Sequence, residues 1–219
     1  MIGILALGGG QGVMGWLMVA SGLVNNPAVS HYRLAAHLLL AVALYIASIN
    51  TGLAMANPET ATPGKLKFNP VYRHSIAALA LLVITLTWGS LTAGLRAGLM
   101  YNTWPLMNGH WTPDNFWFLH PWWKNFFEND GVVQYVHRCL GYITSVMCIS
   151  IGLVTYVRRV PQPARNWGYA VAVMGLLQPA LGIITILMQV QIHTAAAHQA
   201  GAFFLMALLM IWIDRLRRA

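Results

Sequence analysis

Three histidines lie inside long apolar runs: His37, His137 and His198. Each falls about five residues into its run from the same end, or roughly 8 Å at about 1.5 Å per helical residue. An imidazole in lipid is costly, and three at a common depth mark chemistry. No HExxH pattern and no Cys/His cluster of zinc spacing accompanies them. No carboxylate stands within a helical turn of any of the three. Hard-ion and hydrolytic metal sites are therefore poor fits. Neutral imidazoles facing one another across a helical bundle suit a low-spin haem, its iron gripped axially by two histidines. His137 and His198 share depth and chain direction and form the expected pair. His37 is open between a ligand and an interhelical hydrogen bond. His31, His74, His110, His120 and His193 fall at interfaces or in loops and are expected to be solvated or to face lipid headgroups.

Arg138 follows His137 directly, and Arg33 precedes His37 by one turn. With Arg96 and Lys124 they are candidates to meet haem propionates; snorkelling to lipid headgroups is the alternative. Gly89, Gly94, Gly98, Gly141, Gly182 and Gly201 allow close helix approach or room for a flat macrocycle. Cys139 and Cys148 are nine residues apart in one run. That is roughly 13 Å along a helix, too far for a disulfide.

The elements that must position these residues are membrane spans. The 219 residues are 58% hydrophobic and 8% charged, with mean hydropathy +0.58. Soluble domains carry roughly 25% charged residues. Apolar runs at 2–23, 32–56, 75–97, 132–157, 167–189 and 193–213 each have transmembrane length. None reads as a cleaved signal peptide, and no barrel-type alternation occurs. The expected fold is an all-α integral membrane protein with six transmembrane helices. The net charge of +8 does not point to nucleic acid, because the basic residues are scattered between apolar runs. Nine of the thirteen lie on one side: Lys65, Lys67, Arg73, Arg158, Arg159, Arg165, Arg215, Arg217 and Arg218. The positive-inside rule makes that side, with both termini, cytoplasmic. The 98–131 segment, with Trp104, Trp111, Trp117, Trp122 and Trp123, lies outside as an interfacial belt with a short surface helix, or as a lid.

An internal repeat is visible. GGGQGVMGWLMVASGL aligns with GLLQPALGIITILMQV, placing Gln11 on Gln178 and Gly15 on Gly182. HYRLAAHLLLAVAL aligns with IHTAAAHQAGAFFL, placing His37 on His198. Spans one and two thus copy spans five and six, while spans three and four have no upstream partner.

The runs QGVMGWLMVASGL, VSHYRLAAHL, GLRAGLMYNTWPLMNG, VVQYVHRCLGY, LQPALGIITIL and HTAAAHQAGAF resemble haem A synthase of the alphaproteobacterial and mitochondrial type. The similarity covers essentially the whole chain. It implies an eight-span protein of two four-helix halves that oxidises a methyl group of haem O to the formyl group of haem A for terminal oxidases. It implies a haem b held by His137 and His198 as iron ligands, with Arg138 beside it, and a substrate half to which His37 belongs. The expected layout is a partial N-terminal half at 1–56, a cytoplasmic linker at 57–74 and a complete four-helix haem-binding bundle at 75–219. The first two spans of the family are expected to be missing, making the chain a fragment or a truncated form. The catalytic glutamate, which the family places three residues before a histidine, is expected in that absent segment. Gln134 holds the matching place before His137, and an amide cannot transfer protons as a carboxylate does. The resemblance further implies haem O as substrate, the inner membrane as location, haem O synthase and oxidase assembly factors as partners, and a homo-oligomer. A bis-histidine b-type cytochrome and a catalytically silent assembly protein are the alternatives.

Overall fold

The computed structural model describes residues 2–22, 30–57 and 69–218. Among them are six helices long and apolar enough to cross a membrane: α1 (Ile2–Gly22), α2 (His31–Ala56), α3 (Pro70–Gly94), α5 (Asp130–Val157), α6 (Ala164–Leu187) and α7 (Ile192–Arg218). A single-turn helix, α4 (Asn125–Glu128), precedes α5. The described residues form no β-strand beyond an isolated bridge between Met107 and His110. The all-α membrane expectation holds, because in lipid each helix satisfies its own backbone groups. The boundaries shift modestly. Helix α3 begins at Pro70, where the Asn69 side chain accepts the Val71 N–H at 2.9 Å and Pro starts the first turn. Helix α7 runs on to Arg218, so three arginines complete its last turn and oppose the helix dipole there. Lys65 and Lys67 lie outside the described residues.

The chain divides into two compact units. The first comprises Met1–Ser48, Val83–Cys139 and Ile186–Val190. Its apolar centre is Ala35, Leu91 and Val133, with Trp88, Leu95 and Phe127 packed around them. The Trp88 indole donates to the Phe126 carbonyl at 3.2 Å, tying α3 to α4. The 98–131 loop is held by its own polar side chains. Asn125 is fully buried; its amide donates to the carbonyls of Leu119 and Trp122, both at 2.9 Å, and accepts from the Leu119 N–H at 3.0 Å. Buried loop backbone needs such partners. Trp111, Trp117 and Trp122 stay exposed, and Trp122 leads into α4, the short helix expected there.

The second unit comprises Ile49–Leu82, Leu140–Thr185 and Gln191–Ala219. Here α5 and α6 meet along small residues. A Cβ on Gly175 would stand 2.6 Å from the Cys148 Cβ, and one on Gly152 would stand 2.5 Å from the Ala172 Cβ. One turn further, Gly168 faces Thr155. Small residues at this spacing let membrane helices touch backbone to backbone. The contact also repairs a defect. Pro179 lies inside α6 and lacks the N–H that would bond the carbonyl of Gly175. The Ser145 hydroxyl donates to that carbonyl at 2.6 Å. Ser145→Ala is therefore expected to cost roughly 1–3 kcal/mol, the value of a buried acceptor left unpaired. Denaturant titration in detergent micelles measures it, and Ser145→Thr should restore most of the loss. An alanine variant as stable as the parent would show that the carbonyl finds another donor.

Helix α7 supplies the rest of this core. Trp212 is fully buried, and its indole donates to the Ser75 hydroxyl at 2.8 Å. His74, expected to be solvated or to face headgroups, instead bonds the Ser150 hydroxyl at 2.7 Å. An apolar neighbourhood makes any protein partner preferable to none. Cys139 and Cys148 are both free thiols, as their spacing required.

Candidate functional site

Each in-span histidine is seated against the neighbouring helix by one recurrent device. His137 reaches from α5 to α3, where Nδ1 lies 3.1 Å from the Thr85 carbonyl. Four residues after Thr85 is Gly89, where a Cβ would stand 2.9 Å from His137 Cε1. The N–H of residue i+4 is the usual partner of a helical carbonyl i. A side chain at Gly89 would cover the Thr85 carbonyl; glycine leaves it open to the ring. His198 of α7 meets α6 in the same way. The Gln178 amide nitrogen lies 3.2 Å from His198 Nδ1 and 2.7 Å from the His198 carbonyl. Four residues on is Gly182, where a Cβ would stand 3.0 Å from His198 Cε1. His37 of α2 completes the set against α1. The Gln11 amide nitrogen is 3.3 Å from His37 Nε2, and a Cβ on Gly15 would stand 3.4 Å from His37 Cε1.

The aligned pairs of the repeat, Gln11/Gly15 and Gln178/Gly182, are thus the residues that hold the aligned histidines. The repeat is not literal, since Gln11 faces Nε2 and Gln178 faces Nδ1. Thr85/Gly89 is a third seat that the sequence did not reveal, because its polar atom belongs to the backbone. A glycine four residues after a polar residue, on a helix beside an in-span histidine, is the signal that could have found it.

Arg138 extends to the 98–131 loop, where Nη2 donates to the Tyr101 carbonyl at 2.8 Å. Gln134 is almost fully buried and donates to the same carbonyl at 3.1 Å. The Tyr101 hydroxyl accepts the Asp114 N–H at 3.1 Å. Tyr101, which sequence reasoning passed over, therefore joins the loop to the two polar residues that flank the first turn of His137. The Gln134 amide oxygen is buried without a hydrogen-bond partner among the described residues. Arg33 is exposed.

The donor set is chemically one-sided. No group of three or more His, Cys, Asp or Glu able to hold a metal ion occurs among the described residues. His37 pairs with no carboxylate there. Imidazole alone, in apolar surroundings and with its second nitrogen engaged, suits a haem iron and not a hard cation. A hydrogen bond from Nδ1–H to a carbonyl is the usual way a ligating histidine is oriented, and His137 has it. The glycine opposite each ring keeps its edge unobstructed. The residues present therefore fit a haem.

Residues 1–210 match the COX15-CtaA family, described as cytochrome oxidase assembly protein. The chain is 41% identical over 217 residues to the Heme A synthase of Rhodospirillum centenum, covering 99% of this chain and 57% of that protein. It is 41% identical over 217 residues to the Heme A synthase of Nitrosospira multiformis, covering 99% and 61%. It is 42% identical over 209 residues to that of Agrobacterium fabrum, covering 94% and 56%. The chain thus spans somewhat over half the length of these relatives. No solved structure matches. With six membrane-length helices and a family match over nearly all of its residues, the chain belongs to the heme A synthase (COX15-CtaA) family of multi-pass membrane proteins.

Proposed function

We propose that this chain serves the oxidation of haem O to haem A, with a haem b held by His137 and His198 as axial ligands. The observation that carries this is the repeated seat: each in-span histidine is fixed by a polar partner and a glycine one turn later. Bound haem supplies one-electron redox chemistry at the iron. The chain's own residues do the rest. Thr85 and Gln178 hold the rings of His137 and His198, and Arg138 meets a propionate at the aqueous edge. His37, held by Gln11, belongs to the substrate-haem half. In this assignment 75–219 is the haem-binding bundle and 1–56 contributes to the substrate half, joined by the 57–74 linker. Both termini face the cytoplasm across the inner membrane, as the excess of cations on that side supports. Haem O synthase and oxidase assembly factors are the proposed partners, and the proposed assembly is a homo-oligomer.

A second role has its own support. His37 pairs with no carboxylate among the described residues, and Gln134 is an amide where the family's motif elsewhere carries a glutamate. A bis-histidine cytochrome that passes electrons without altering its haem needs neither acid. Expressed in cells without any other haem A synthase, the 219 residues are expected to carry haem b and to yield no haem A. Chromatography of extracted haems decides. A haem A peak would show that His37 works without a carboxylate beside it, and a chain free of haem b would overturn the proposal.

A further inference from the structure

The last turns of α7 meet the first two turns of α3. The Trp212 indole donates to the Ser75 hydroxyl at 2.8 Å, and further along α7 the Arg217 Nη2 donates to the Tyr72 hydroxyl at 2.7 Å. The Arg217 guanidinium carbon also stands 5.4 Å from the centre of the Tyr72 ring, within cation–π range. Asp214, three residues before Arg217, is the acid nearest to it along α7. Both carboxylate oxygens of Asp214 are taken by Arg218, at 2.9 and 3.0 Å. Arg217 is thus fixed on a tyrosine and pairs with no carboxylate among the described residues. Arg73, the residue after Tyr72 on α3, is exposed and pairs with no described carboxylate either. Tyr72 accepts from Arg217, so its own O–H still has a hydrogen to give, and no described group takes it.

We infer that Arg217, Tyr72 and Arg73 form a binding site for the phosphate of an anionic phospholipid headgroup. To a ligand the three side chains offer hydrogen-bond donors and no carboxylate. Two guanidinium groups border one tyrosine with no acid between them. A phosphate there replaces their repulsion with charge-assisted hydrogen bonds, and arginine's planar fork suits phosphate oxygens. The level is that of lipid headgroups. Helices α3 and α7 are both of membrane length, and Tyr72 and Arg217 stand in a terminal turn of each. Tyrosine favours that level, and basic pockets between spans there take anionic headgroups. Snorkelling alone carries a guanidinium out to water; here it is held on a tyrosine that keeps its own hydrogen for a ligand. Free phosphate shares the chemistry but lacks the acyl chains that the apolar sides of α3 and α7 would meet. The site is independent of the haem assignment.

The test uses the full chain in non-ionic detergent, with dioleoylphosphatidylglycerol as the probe and native mass spectrometry to count the lipid retained. The parent chain is expected to retain phosphatidylglycerol in preference to dioleoylphosphatidylcholine at equal mole fraction. Arg217→Gln should lower the apparent affinity for phosphatidylglycerol roughly tenfold, the value of one charge-assisted hydrogen bond. Arg73→Gln should act in the same direction; it changes an exposed helical position and serves if the first variant folds poorly, which circular dichroism reveals. Tyr72→Phe keeps the ring beneath Arg217 but removes the hydroxyl, and should also weaken binding. Arg158→Gln removes an equal charge from an exposed position just past α5, in the same compact unit, and should leave binding in place. Equal losses in Arg158→Gln and Arg217→Gln would mean that net charge alone attracts the lipid and would overturn the site. So would binding that neither Arg217→Gln nor Arg73→Gln moves, or equal retention of the two lipids. Inorganic phosphate that displaces the lipid, at an ionic strength where chloride does not, would assign the site to free phosphate and overturn the lipid.

Discussion

Replacing either His137 or His198 with alanine is expected to abolish the six-coordinate low-spin haem b spectrum of this chain. Each ring is the end of a constructed arrangement: a helix, a glycine notch and a hydrogen-bond partner. Losing only the partner of a metal-bound histidine costs roughly 10–100-fold in affinity or activity. Loss of the ligand itself should exceed that, leaving at most a five-coordinate high-spin remnant. His37→Ala is the internal comparison, since His37 is assigned to the other half and should leave the spectrum in place. Absorption spectra of the purified variants, reconstituted with equal haem, measure the effect. Imidazole added to either alanine variant should restore part of the low-spin signal, which a collapsed fold would not. An unchanged spectrum in both alanine variants would end the axial-ligand assignment.

The second large effect is expected at Gly175, on the α5–α6 contact within a turn of Gln178. Gly175→Leu should strongly destabilise the chain at the α5–α6 contact. A Cβ alone would stand 2.6 Å from the Cys148 Cβ, with the Ser145 carbonyl at 3.5 Å and the Cys148 carbonyl carbon at 3.6 Å. The last two are ordinary contacts; the clash is with the Cys148 Cβ, which its backbone fixes, so no rotamer change relieves it. Overpacking a tight contact typically costs roughly 1–3 kcal/mol. Separating the helices would also break the Ser145 bond to the Gly175 carbonyl, adding roughly 1–3 kcal/mol for an unpaired buried acceptor. Denaturation in micelles, followed by helical circular dichroism, should show a large fall in midpoint, larger than for Ser145→Ala alone. Leucine at Gly141, which has nothing within 4 Å of a built Cβ, should be tolerated. Equal stability of the two leucine variants would mean that α5 and α6 do not meet as described.

Much of the architecture was legible because lipid imposes a simple demand. An apolar run of about 20 residues must be helical and must span, so six spans followed from composition alone. The histidines were legible for the same reason: a polar ring inside such a run is an exception, and exceptions can be counted. The Gln11/Gln178 and Gly15/Gly182 alignment was visible as a repeat, though not as a device for holding His37 and His198. His74 was misjudged because Ser150, its partner, is 76 residues away in sequence. Thr85 was invisible because every residue has a carbonyl, and only a glycine notch and an approaching ring give one a role. Tyr101 was missed because it uses its carbonyl oxygen on Gln134 and Arg138 and its hydroxyl on the loop.

By itself the sequence determined the medium, the spans, the family and the identity of the histidines. These depend on residue type and on distance along the chain, which a string of letters states directly. Only the tertiary structure decided which backbone carbonyl meets His137, which donor meets His198, and which serine repairs the break at Pro179. Those outcomes depend on which helix faces come within hydrogen-bonding reach, and glycine permits that approach without specifying its partner.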